Sequence, residues 1–284
     1  MTMNVTPLDA SFGATLTGVR LGDLDDSGFG ALYDTWLRYS LLVIPGQHLD
    51  NAQQVAFAKR FGNLEIDIVE LSNVKDDGSL RTAPDDDRIK ILKGNMGWHH
   101  DSTYMPVQAK GAVFRADVVP QTGGETGWAD MTSAYEALND TMRNRIEGIS
   151  AHHSLIYSQH KAGFTHKDDK SEYSGYGLDQ EGAPLRPLVK THPETGRKTL
   201  TIGRHAHAIP SLSEMESEEL LDELVDFACR PPRIYHHNWT PGDVVVWDNR
   251  CLMHQARPWD MTEKRVMFHS RLAGDPVHEF AAPN

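Results

Sequence analysis

"GDVVVWDNRCLMHQARPWD" covers residues 242–260. Four apolar residues, Val244 to Trp247, follow a Pro-Gly turn, and Asp248-Asn249-Arg250 then break the run before His254. A short apolar run between turn signals reads as a buried strand. Similar runs recur on either side. "LLVIPG" (41–46) stops at Pro-Gly, "GAVFRADVVP" (111–120) ends at Pro120, and "KRVMFHSRLAGD" (264–275) is a final strand. "GATLTGVRLGDL" (13–24) alternates apolar and polar residues like an early hairpin arm. Helical spacing appears over 25–40, where Phe29, Leu32, Trp36 and Leu37 form a stripe, and over 50–62, 133–148 and 212–230. Asp50 caps the second of these and Gly62 closes it. Strands thus run through most of the chain, with helices in the first quarter and around two later insertions. This predicts a mainly β protein with flanking helices and a β-sandwich or jelly-roll core.

The 284 residues show no repeat and read as one domain, 1–284. Two segments look lid-like. Residues 66–93 turn polar and charged, with "VKDDGSLRTAPDDDR" (74–88) reading as an irregular excursion with a turn, and 157–184 are rich in Gly, Ser, Lys and Asp. The acidic run at positions 85–87 reads as a solvated loop. No apolar run approaches the roughly 20 residues that span a bilayer. The N-terminus lacks the basic start and apolar core of a signal peptide, so a cytoplasmic location with no membrane partner is expected. A formal charge of −12 argues against nucleic acid, and an anionic substrate would need local cations against that field. Cys229 and Cys251 are too few for a disulfide framework and read as buried thiols.

A second stretch, "GNMGWHHDSTYMP" (94–106), gives His254 its partners. On a strand, side chains two apart share a face, so His99 and Asp101 project together and His100 points away. With His254 they make two histidines and one carboxylate, the facial set of non-haem Fe(II) oxygenases. It leaves three positions open, two for a bidentate 2-oxo acid and one for O2; zinc prefers a closed or nearly closed tetrahedral set. Arg265 lies eleven residues after His254 on the last strand, where its fork can hold a distal carboxylate. Thr126 is a candidate second donor, delivered by a tight turn at Gly123-Gly124. Asp248 and Arg250 are expected to fix the turn before His254 by pairing with backbone.

The pieces "WHHDSTY", "GGETGWADMTSAYEAL", "TGRKTLTIGRHAHAI", "GDVVVWDNRCLMHQA" and "KRVMFHSRLAGD" together resemble the TauD/TfdA family of Fe(II)/2-oxoglutarate-dependent dioxygenases over nearly the whole chain. The likeness is strongest to its aryloxyalkanoate dioxygenases, and within them to the (S)-phenoxypropionate branch. It implies a double-stranded β-helix (jelly-roll) core, with Fe(II), 2-oxoglutarate and O2 as cofactor and co-substrates. It also implies His99, Asp101 and His254 as iron ligands, and Thr126 and Arg265 as holders of the 2-oxoglutarate C5 carboxylate. The implied reaction hydroxylates the carbon next to the ether oxygen of a phenoxypropionate or phenoxyacetate. A homo-oligomer is expected on the same ground.

The family's taurine dioxygenases carry a substrate-binding arginine four residues after the co-substrate arginine. Here that position is His269, with Arg271 two residues on. Candidate anchors for a small-molecule carboxylate are therefore Arg271, His269 and Lys93. Trp98, Met96, Tyr104 and Met105 are candidate walls for an aryl ring, with core packing as the alternative. His205 with His207, and His152 with His153, read as structural. The rival readings are an alkylsulfonate, taurine or alkyl sulfate dioxygenase with the same iron site, and a jelly-roll binding protein without chemistry.

Overall fold

A computed structural model describes residues 3–83, 86–164 and 182–281. Its largest sheet has seven strands in the order β1 (Asn4–Pro7), β2 (Ala14–Thr17), β3 (Leu41–Ile44), β13 (Val244–Asp248), β5 (Gly111–Val118), β15 (Val266–Leu272) and β4 (Leu64–Ser72). A three-stranded sheet, β12 (Ile234–His237), β6 (Thr126–Asp130) and β14 (Leu252–Ala256), lies across from it. Phe114, Val245, Trp247 and Met267 from the large sheet pack there against Trp128 and Leu252 from the small one. Smaller sheets join β11 (Ala206–His207), β7 (Ser150–His153) and β8 (Leu185–Pro187), and β10 (Lys198–Leu200) with β9 (Val189–Thr191). This is the expected jelly-roll core with helices outside it.

The apolar run in β13 is continuous because both of its faces are buried. Val244 and Val246 meet Leu32, Trp36, Phe57 and Phe61 of helices α1 (Asp26–Tyr39) and α2 (Asn51–Lys59) and the turn beyond, while Val245 and Trp247 face the inner core. Asp50 caps α2 as expected, with Gln53 completing a capping box. On the far side, α7 (Glu214–Ala228) and α4 (Met131–Ala137) cover the small sheet through Leu220, Leu224 and Met131. Two short helices, α6 (Leu155–Lys161) and α8 (Pro276–Glu279), complete the set with the two that follow.

Three expectations need correction. Within 66–93 only the middle is irregular: the described part of 74–88 turns at Lys75–Gly78 as expected, whereas nine-residue β4 forms the sheet edge before it and α3 (Asp87–Gly94) begins at its end. The polar residues that hid them are the solvent side of an edge strand and a helix cap. Asp86 is not on a bare loop; it accepts from the amides of Arg88 and Ile89 and starts α3. The helix expected over 133–148 is two, because Leu138 is extended and Asn139 caps α5 (Asp140–Ile146). Of the segment 157–184, the start lies on α6, and residues 165–181 lie outside those described. Cys229 and Cys251 are both free, the first partly buried and the second buried. No helix among the described residues is long and apolar enough to cross a membrane.

Candidate active site

His99 sits at an isolated antiparallel bridge with His254, each backbone amide donating to the other's carbonyl at 3.0 and 2.8 Å. The bridge brings the two rings together, tilted by 45° with centroids 4.2 Å apart. Asp101 is two residues on, already in a turn, and Asn249 holds that turn. Its side chain accepts from the Asp101 amide at 2.8 Å and donates to the carbonyls of Asp101 and Ala109 at 2.9 Å each. One nitrogen or oxygen from each of His99, Asp101 and His254 lies within 4.8 Å of the others. His100 points away, with Nδ1 2.8 Å from the carbonyl of Asn249.

The donor atoms suit a divalent cation. The Gly97 carbonyl, 2.7 Å from His99 Nδ1, fixes that nitrogen as the donor and leaves Nε2 with its lone pair. Asp101 Oδ2 is buried and makes no well-formed hydrogen bond, although His254 Nε2 and His269 Nε2 stand 3.8 and 3.4 Å away. Burial pushes His254 down to about 4 and His99 well below the usual imidazole range, so both rings are neutral at pH 7. Burial alone would raise the Asp101 carboxyl, but Arg271, His254 and His269 outweigh it and hold it well below the carboxylate range. Neutral imidazoles beside an ionised carboxylate are the protonation states that bind a metal.

These groups open into a cavity of about 400 Å³. At one end stands Arg265, 3 % exposed, whose Nε donates to the Gly124 carbonyl at 3.1 Å. Asn73 Oδ1 accepts from its backbone amide, and Trp259 lies under its guanidinium at 5.1 Å. It has no ion pair to a carboxylate among the described residues, and burial lowers it to about 10, so it remains charged. Thr126 also lines the cavity, and its hydroxyl accepts from Trp239 Nε1 at 3.0 Å. Gly123 and Gly124 both adopt positive φ, and a Cβ on Gly124 would lie 3.2 Å from Arg265 Nε, so the turn is built for close approach. In the β6–β14 ladder Trp128 pairs with His254 and Thr126 with Ala256, two steps along the same pair of strands.

The far wall is apolar: Ile66, Ile68 and Leu71 from β4, Ile91 and Leu92 from α3, and Leu155 from α6. Among the candidate walls, Tyr104 lines the cavity. Trp98, Met96 and Met105 do not. Trp98 packs on the core behind the small sheet, Met96 joins Ile89 and Leu92, and the Met105 carbonyl accepts from Arg186. Lys93 is exposed on α3 and absent from the lining, so it is no anchor for a ligand inside. Arg271 and His269 do line it, and both are turned to Asp101. Asp248 Oδ1 accepts from the Arg250 backbone amide at 3.0 Å, as expected, and the carboxylate also pairs with the Arg250 and His192 side chains. His152 and His207 bridge β7 and β11, whereas His205 belongs to the cavity lining, its Nδ1 2.9 Å from Ser158 Oγ.

Asn249, Gln159 and the β4–α3 wall went unnoticed in the sequence. Asn249 lies inside the turn quoted at the outset, and nothing local shows that its amide reaches back to Asp101. Gln159, with a buried Oε1 lacking a partner, enters the lining from a helix in a stretch that reads as a loop.

The profile of the taurine catabolism dioxygenase TauD, TfdA family matches residues 4–270. The chain belongs to this family. A TauD/TfdA relative, the (S)-phenoxypropionate/alpha-ketoglutarate-dioxygenase of Sphingobium herbicidovorans, is 64% identical over 98% of this chain and 97% of its own. Its namesake from Delftia acidovorans is 57% identical over 99% and 98%. Among solved structures, AAD-2 in complex with Mn(II) and N-oxalylglycine superposes with a TM-score of 0.90 at 35% identity, covering 100% of both chains. As a TauD/TfdA protein the chain is a 2-oxoglutarate-dependent dioxygenase that uses iron and O2.

Proposed function

We propose that His99, Asp101 and His254 hold Fe(II), and that Arg265 with Thr126 holds the distal carboxylate of 2-oxoglutarate. The enzyme hydroxylates an aryloxyalkanoate at the carbon next to its ether oxygen. One observation carries this reading. A single cavity contains both a buried two-histidine, one-carboxylate cluster and a buried arginine that forms no ion pair among the described residues, its acidic neighbour Glu125 lying beyond ion-pair distance. The two most similar relatives named above act on (S)-phenoxypropionate, which supports the substrate class.

Bound iron supplies O2 activation and C–H oxidation, coupled to decarboxylation of 2-oxoglutarate to succinate and CO2. The protein binds and orients. Arg265 holds the co-substrate by charge-assisted hydrogen bonds in a dry site, with Thr126 as a neutral donor beside it. Trp239 N–H already donates to the Thr126 oxygen, leaving the hydroxyl hydrogen to point at an anion. The wall of Ile66, Ile68, Leu71, Ile91, Leu92 and Leu155 offers an apolar slot for an aryl ring and excludes water. The hydroxylated carbon then carries both a hydroxyl and an aryloxy group. Its O–H proton passes to the ether oxygen as the C–O bond breaks, giving a phenol and a 2-oxo acid. That acid is pyruvate from a 2-aryloxypropionate and glyoxylate from an aryloxyacetate.

The test is 2-oxoglutarate consumption with a substrate panel: both enantiomers of 2-phenoxypropionates, phenoxyacetates, taurine and a medium-chain alkyl sulfate. Aryloxyalkanoates should stimulate turnover and release phenol in equal amount to succinate. Stimulation by taurine or the sulfate ester, with none by any aryloxyalkanoate, would sink the reading.

A further inference from the structure

We infer that Arg271 is a positioning residue for the metal site, pinning one oxygen of Asp101 so that the other alone faces the two histidines. Arg271 Nη2 donates to Asp101 Oδ1 at 3.0 Å, and Nη1 lies 3.3 Å from Ser102 Oγ. The Ser102 hydroxyl donates to the Glu65 carboxylate at 2.8 Å. Asp101 and Ser102 are buried. Ser102 has φ +58°, a conformation seldom adopted by non-glycine residues, so the chain beyond Asp101 is held in place by its surroundings.

Strand β15 delivers this contact by its ordinary repeat. Against β5 it is regular here, with His269 opposite Phe114 and Arg271 opposite Ala112, while the extra residue of the bulge lies in β4. Side chains two apart share a face, so both line the cavity. A carboxylate with two free oxygens can rotate or chelate through both. With Oδ1 engaged in a charge-assisted bond, only Oδ2 is presented, and Oδ2 is the oxygen nearest His254. A guanidinium fork spans Asp101 and Ser102 together, which the single ammonium of a lysine does not match. The charge of Arg271 is thus already answered by Asp101, unlike that of Arg265.

This inference rests on Asp101 being a metal ligand, so the experiment separates the two. Metal-free enzyme is titrated anaerobically with Mn(II) alone, following free ion by electron paramagnetic resonance, for wild type, His99→Ala, Arg271→Gln and Arg271→Lys. Failure of the wild type to bind, or undiminished binding by His99→Ala, overturns the metal site itself. With that site established, Arg271→Gln should weaken Mn(II) binding tenfold or more, and Arg271→Lys should recover only part of the loss. At saturating Fe(II), the KM of Arg271→Gln for an aryloxypropionate should stay within threefold of wild type. A smaller loss of Mn(II) affinity, or tighter binding, overturns the inference. A tenfold rise in KM with unchanged Mn(II) affinity would assign Arg271 to the substrate instead. Melting of the metal-free variants checks folding; should Arg271→Gln not fold, Arg271→Lys decides, with a threefold weakening as its criterion.

Discussion

His99 and His100 are neighbours with opposite surroundings. His99 turns its free nitrogen toward Asp101 and His254, whereas His100 anchors to the Asn249 carbonyl in the core. His99→Ala should abolish Mn(II) binding and turnover while the protein stays folded. His100→Ala should retain metal binding but lose about 1–3 kcal/mol of stability, read from denaturant midpoints. Arg265 makes a different case, because its burial is unfavourable until an anion arrives. Arg265→Met should leave the ligand-free protein as stable as wild type or more so. The same change should raise the KM for 2-oxoglutarate by roughly 30-fold or more, the worth of one or two lost charge-assisted bonds. A variant that melts well below wild type without any ligand would contradict this. The spacing His99-x-Asp101, with His254 and Arg265 behind it, was legible because ligands cluster in recognisable patterns. The partners of those residues were not. Asn249 and Arg271 act through contacts that link residues more than 140 apart in the chain.

Among the elements, the continuous apolar run of β13 and the capped stripe of α2 were readable from sequence, since burial on both faces and local caps leave local signals. Strand β4 was not. As an edge strand with partly buried faces it shows neither alternation nor an apolar run, yet four of its residues line the cavity. The connection after β10 matters as much. Gly203 adopts φ +111°, and a Cβ there would lie 2.8 Å from the Trp98 carbonyl and 3.3 Å from His99 Cα. Gly203→Ala should therefore cost roughly 2 kcal/mol or more and shift His99. Thermal melting together with Mn(II) titration checks both parts. An alanine variant with unchanged melting and metal affinity would show that this crossing is loose.

Across the whole molecule, acid stability follows from buried neutral histidines. Burial pushes His100 down to about 3 and holds His153 and His205 well below 6.5. Between about pH 6.5 and 4 the unfolded chain therefore binds protons that the folded chain refuses. Stability should fall as pH falls through that window, by up to about 1.4 kcal/mol per unit for each such histidine. Melting of the metal-free enzyme at pH 7.5, 6.5, 5.5 and 4.5 checks the sign; a flat profile would contradict it. The fold class was legible at this scale because strand runs fill the sequence, whereas the cavity, assembled from both sheets and two helices, was not. In the proposed binding mode the co-substrate runs between His254 and Thr126, whose rungs lie two steps, about 7 Å, apart on one hydrogen-bonded ladder, so the strand repeat sets the spacing of its two ends. A backbone ladder neither stretches nor shrinks to suit a guest. It acts as a calliper for chain length, so dicarboxylates one methylene shorter or longer than 2-oxoglutarate should be poor replacements for it, however well their charges match.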